Sequence, residues 1–266
     1  MSETSTVSQG AQPSQPSQEF EKVLSGSATQ VASFDTHDKT PIQKFQHFLH
    51  GSPSAVPLIV LVMSVAVFGV ILGGKFFSAF TMTLILQQVA IVGIVGAAQT
   101  LVILTAGIDL SVGAIMVLSS VIMGQFTFRY GLPPTLAVVC GLACGALCGY
   151  VNGLLVARMK LPPFIVTLGM WQIILASNFL YSANETIRSQ DISSQAPLLQ
   201  FFGNNVRFGG AVFTYGVIAM VLLVALLWYI LNHTAWGRHV YAVGDDPDAA
   251  ELAGVNVKRM LVSVYT

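Results

Sequence analysis

The apolar residues of this chain are gathered into runs of about twenty, and nothing else constrains the fold as tightly. A helix of that length crosses the hydrocarbon core of a bilayer, which is about 30 Å thick. The runs extend from Pro57 to Gly74, Met82 to Leu104, Asp109 to Phe128, Leu132 to Ala157, Pro163 to Tyr181, and Ala211 to Leu231. Lipid offers the backbone no hydrogen bonds, so such runs must be helices that satisfy their own polar groups. Pro57 suits a first turn, where a missing N–H is no loss. The expected fold is an all-α polytopic membrane protein with six transmembrane helices. Composition agrees: 54% of residues are hydrophobic and 9% charged, against about 25% charged in soluble domains. The net charge is zero, so electrostatics makes no case for nucleic acid.

The chain turns apolar again at Met260 and stops at Thr266. MLVSVYT reads as the first two turns of a seventh span, cut off. A helix ending in lipid leaves carbonyls unpaired, at several kcal/mol each, so the natural protein is expected to continue. Residues 54–266 are therefore read as a transmembrane domain incomplete at its C-terminus. Residues 1–53 open on MSETSTVSQGAQPSQPSQ, which has neither the basic start nor the apolar core of a signal peptide. This stretch reads as a polar, largely flexible tail.

Lys and Arg set the orientation. With the N-terminus inside, the inner side holds Lys22, Lys39, Lys44, Arg158, Lys160, Arg238, Lys258 and Arg259, and the outer side only Lys75, Arg129, Arg188 and Arg207. Residues 182–210 then form an extracytoplasmic segment and residues 232–259 a cytoplasmic loop.

Asp109 is the sole ionisable side chain between Lys75 and Arg129, with Gly107, Ser111 and Gly113 around it. A carboxylate at membrane depth marks a site by default. It also suits a helix cap, accepting N–H groups near Ser111 and Val112. Both readings stand. Cys140, Cys144 and Cys148 share one helix face, and Gly141, Gly145 and Gly149 recur at the same spacing in the same stretch. Small residues at that spacing favour close helix packing over a metal site, for no His or carboxylate accompanies them. Gln88, Gln99, Asn152, Thr167, Gln172 and Asn178, with Trp171, would suit a passage for a hydroxylated substrate. For any one of them a bond between helices, at about 0.6 kcal/mol, is the better reading; the passage is a reading of the set.

The segment TAWGRHVYAVGDDPDAAELAGVNVKRM carries its own start and stop signals. Asp246 is a candidate N-cap, Pro247 a first helical residue and Asp248 a first-turn acid. Ala249, Ala250 and Glu251 favour helix, and Gly254 stands where a left-handed residue ends one. The patterning predicts a short helix from Pro247 to Ala253, on what is otherwise an ordinary surface connection. With Gly237, Arg238, Ala242 and Gly244, this string resembles the coupling loop of ABC-type monosaccharide permeases of the ribose, xylose and fructose import group. ILTAGIDLSVGA, from Ile103 to Ala114, and LPPFIVTLGM, from Leu161 to Met170, are similar to that group in the same order and spacing. Asp245–Asp246 departs from the Gly-Asn of many members, though Asp caps as well as Asn. Within the group, the polar tail and FQHFLHGSP are most like the fructose permeases.

The resemblance implies a transport subunit of the bacterial inner membrane, importing a monosaccharide, with fructose the first candidate. It implies three partners: a cytoplasmic ATP-binding subunit, a periplasmic sugar-binding protein, and a second copy of the chain. It also implies that the Pro247–Ala253 helix transmits the ATPase stroke. The chain has no G-x-x-x-x-G-K-[ST] loop, since GGKFF at Gly73 lacks the spacing; ATP would be bound by the partner, and no cofactor by this chain. A proton-coupled carrier would want more intramembrane acids and bases than one. An enzyme built on Asp109 lacks a nucleophile–base pair.

Overall fold

The computed structural model describes residues 51–52, 54–208 and 211–266. The polar N-terminal stretch lies almost wholly outside them. Residues 1–68 and 69–266 form two units, each described by itself. The first contributes most of α1, Ala55–Leu72, with Pro57 in its first turn. The second is a helical bundle. Its long members are α2, Ala79–Leu104, α3, Val112–Phe128, α4, Pro134–Met159, and α5, Pro163–Ser182. A short helix α6, Ser189–Gln195, and a 3-10 turn over Pro197–Gly203 lead to a hairpin. After it come α7, Tyr215–His233, α8, Ala235–Asp245, α9, Pro247–Leu252, and α10, Val257–Tyr265.

Among the described residues five helices are long and apolar enough to cross a membrane: α1 with the turn after it, α2, α4, α5 and α7. The third expected span is shorter. Its helix does not begin at Asp109 but at Val112, and its 17 residues reach about 25 Å. The sixth is also trimmed. Ala211–Thr214 is not helix but strand β2, paired antiparallel with β1, Asn205–Phe208, in the register Asn205↔Thr214 to Phe208↔Ala211. That register leaves two residues between the strands, and in the sequence these are Gly209 and Gly210, a hairpin signal that apolar-run counting overlooks. The Thr83 hydroxyl donates to the Val212 carbonyl at 3.0 Å, docking the hairpin on α2.

The helices expose apolar side chains outward, as lipid allows; Leu180 is 84% exposed. Inside, small residues bring them together. A methyl group on Gly141 would meet Met123 and, at 2.8 Å, the Ser119 carbonyl of α3; one on Gly145 would meet the Ser119 hydroxyl at 3.0 Å. Cys144 and Cys148 pack against Ala114, Leu118 and Ile174. The small-residue stripe of α4 is thus a helix-packing face.

The largest buried cluster lies at one end of the bundle. Val102 of α2, Val156 of α4 and Val166 of α5 meet Val240 and Val243 of α8, Ala250 of α9, and Met260, Val264 and Tyr265 of α10. The 232–259 segment is therefore no free loop. Its helices are folded onto the ends of three spans. α10 begins at Val257, three residues ahead of the expected Met260, with the Asn256 carbonyl Oδ1 accepting the Arg259 N–H at 3.0 Å.

Candidate functional site: the buried connection at Asp109 and the helices folded over it

α2 ends with the Gly107 N–H donating to the Val102 carbonyl and the Ala106 N–H to the Ile103 carbonyl, both at 2.9 Å. This is a paired helix-closing motif whose left-handed position is usually glycine; here Ala106 fills it, at φ 56°. The chain then runs non-helically to Ser111, with Thr105, Gly107, Asp109 and Ser111 buried and Ala106, Ile108 and Leu110 exposed. Buried backbone must find partners, and two helices supply them. The Thr167 hydroxyl of α5 lies 3.2 Å from the Ile108 carbonyl and 2.9 Å from the Pro163 carbonyl. The Asn152 Nδ2 of α4 donates to the Ser111 hydroxyl at 2.8 Å.

Asp109 sits within this frame, 8% exposed. Its Oδ1 accepts both the Ser111 N–H and the Ser111 hydroxyl, each at 2.7 Å. The Val112 N–H is not among its donors, because the helix starts at Val112 with Ser111 at the cap position, two residues later than a cap at Asp109 requires. No ion pair forms to it among the described residues. Two further polar atoms of this region are buried without a partner among the described residues, the Asn152 Oδ1 and the Tyr265 hydroxyl. The latter comes within 2.6 Å of a methyl group built on Gly107. Gly113 has open space where its side chain would be.

α8 covers the same connection from outside. Thr234 caps it, its hydroxyl accepting the Gly237 N–H at 3.2 Å. Trp236, Gly237, Val240 and Val243 turn inward, and Arg238 outward. Gly237 packs on the carbonyls of Ile230 and Leu231 at the turn from α7. Gly244 packs on the Leu104 carbonyl, where a methyl group would collide with main chain rather than with a movable side chain.

α9 follows at once. The Asp246 Oδ1 accepts the N–H groups of Asp248 and Ala249, each at 3.0 Å. At the other end the Gly254 N–H donates to the Glu251 carbonyl and the Val255 N–H to the Ala250 carbonyl, both at 3.0 Å. Gly254 holds φ +89°, the left-handed geometry such a stop needs. Ala250, expected to approach a partner, faces inward instead, at 4% exposure. The outward face is Asp248, Ala249, Glu251 and Leu252, the last 91% exposed.

The side chains considered for a substrate path do not converge within one chain. Gln88, Trp171 and Gln172 are exposed, whereas Asn152, Thr167 and Asn178 are buried as bonds between helices. Asn178 reaches only the Ala114 carbonyl, at 3.5 Å. Gln99 is half-buried, its Oε1 unpartnered.

These features fall inside one region of similarity to known proteins. The family described as "Branched-chain amino acid transport system / permease component" matches residues 81–266, which contain the Asp109 connection, the Thr167 turn and the α8–α9 segment. The chain belongs to this permease family. The permease is 80% identical over its 266 residues to the fructose import permease protein FrcC of Rhizobium meliloti, covering 72% of that protein. It is 35% identical over 209 residues to the ribose import permease protein RbsC of Bacillus subtilis, 79% of this chain and 62% of that one. With RbsC of Escherichia coli K12 the identity is 32% over 213 residues, 80% of this chain and 64% of that one. It thus spans less than two thirds of those ribose permeases. No solved structure matches.

The permease also buries a polar side chain that the sequence reading passed over. Gln125 of α3 is 3% exposed. With Ser120, Ser182 and Glu185 it lines a cavity of about 570 Å³ at the hairpin end, partly roofed by Phe202. A lone amide in the middle of an apolar run was the available signal.

Proposed function

We propose that the permease is the membrane subunit of an ATP-driven importer of a monosaccharide, and that the sugar is fructose. The observation that carries this is the 80% identity, along the whole chain, to a fructose import permease. The ribose and fructose permeases at greater distance support the sugar class. The engine is a cytoplasmic ATP-binding subunit, seated against α8 and α9. A sugar-binding protein docks at the opposite end, over α6, the hairpin and the cavity at Gln125. A second copy of the chain completes the path, on a two-fold axis. The outward Gln88, Trp171 and Gln172 support this pairing, since a passage between copies would be lined by side chains exposed on each.

The N-terminus and α8–α9 face the cytoplasm in this reading, supported by eight basic residues against four. α9 transmits the stroke: capped at both ends, it moves as a unit, and Gly244 of α8 bears directly on the end of α2.

Uptake of labelled fructose, ribose and xylose, in cells with and without the protein, tests the proposal. Fructose uptake should require the protein and ATP and survive collapse of the proton gradient. Uptake that stops with the gradient while ATP stays high, or that is lost for another sugar alone, overturns it.

A further inference from the structure

α10 runs antiparallel to α4. A methyl group on Gly153 would meet the Val262 backbone at 2.9 Å, and one on Gly149 would meet the Tyr265 carbonyl. The same pairing, continued to the helix ends, sets Arg158 of α4 beside Lys258 and Arg259 of α10. The three line one groove of about 340 Å³. Leu154 and Val262 form its floor with Ser263 beside them, and Tyr150 and Thr266 stand at its inner end. Eight residues of helix separate Arg158 from Tyr150, so the groove extends about 12 Å along the bundle. Its mouth is cationic and the rest of its lining mostly apolar.

The charges have no protein partner. Arg158, Lys258 and Arg259 are all exposed, and none forms an ion pair among the described residues. Arg158 stands in the last turn of α4, where the helix dipole favours a cation. Lys258 and Arg259 stand in the first turn of α10, where it disfavours one. Three like charges in one hollow also repel one another. An anion at the mouth offsets both effects. Sidedness accounts for basic residues at this end, but not for their gathering around an apolar trough.

We propose that this groove binds one anionic phospholipid. Its phosphate sits among Arg158, Lys258 and Arg259, and the upper part of an acyl chain lies along Leu154 and Val262 toward Tyr150. Basic pockets between membrane helices take such headgroups. In the proposed orientation the groove opens to the inner leaflet, where anionic lipid is available. The lipid would brace α10 against α4, beside the helices that meet the ATPase. The inference rests on the membrane fold and not on the choice of sugar, so it stands or falls separately from transport specificity.

The test uses the assembled transporter in nanodiscs of mixed phosphatidylglycerol and phosphatidylcholine, released into native mass spectrometry. Phosphatidylglycerol should be retained in preference to phosphatidylcholine, and inorganic phosphate should not displace it. Each of Arg158→Gln, Lys258→Gln and Arg259→Gln should weaken retention about fivefold, and Lys160→Gln, a neighbouring surface cation, should not. Equal retention of the two lipids by the unaltered protein overturns the proposal without any variant. Displacement by phosphate makes the site a free-anion site. Equal loss with Lys160→Gln reduces it to general surface charge. Either result also overturns it.

Discussion

Gly244 has the tightest surroundings of the glycines in the α8–α9 segment. The atom facing it is the Leu104 carbonyl, in main chain that is already closing α2. A side chain there cannot be accommodated by a rotamer change. Gly244→Ala must lift α8 from α2, and overpacking of this kind costs about 1–3 kcal/mol. We expect the variant to insert in the membrane, melt at lower temperature in detergent, and lose uptake out of proportion to its loss of protein. Normal uptake at normal stability would show that the contact transmits nothing. Asp109 teaches a related lesson. Its position as the lone intramembrane acid was plain in the sequence, and a capping role was on offer. What was not legible was that its partner Ser111 is itself held by Asn152, 41 residues on. Such a triad exists only once α4 is packed, and no local pattern announces it.

Among the elements, legibility followed the strength of the physical rule. The long spans were readable because bilayer thickness sets their length, and Pro134 and Pro163 mark their starts at the first helical position. α9 was readable from Asp246, Pro247 and Gly254, each a residue with one strong backbone preference. α8 was not read, because Arg238, His239 and two closing acids made it look like solvent-exposed loop. The missed signal was Trp236, Val240 and Val243, a helical spacing of apolar residues behind a Thr234 cap. The inward turn of Ala250 was likewise hidden, since a small residue fits a partner or its own core equally well. This redirects the test of α9. Bulk at Ala250 would disturb the internal core, whereas Gly254→Val alters the stop alone: open space surrounds the position, but a β-branched residue resists φ +89°. Gly254→Val should insert normally and either bind the ATPase less well or hydrolyse ATP without uptake. A variant with normal association and coupling would leave α9 a mere connection.

For the whole molecule, orientation is the property that most of the proposal leans on, and it is directly measurable. A reporter fused after residue 195, in α6, should be extracytoplasmic, and one fused after residue 248, in α9, cytoplasmic. A reversed signal at either place would turn the ATPase face and the lipid groove to the wrong side. The cavity at Gln125 escaped the sequence because it is a property of an assembled surface, lined by residues from Ser120 to Phe202 that lie on several segments. The buried connection from Thr105 to Ser111 has a consequence in time as well as in space. It leaves the ribosome before Asn152 and Thr167 have been made. Until they arrive, the Ile108 carbonyl and the Ser111 hydroxyl face either water or an insertion partner, because lipid cannot serve them. α2 and α3 therefore cannot settle as a finished pair on their own. Their connection reaches its final hydrogen bonding only when Asn152 of α4 and Thr167 of α5 have followed.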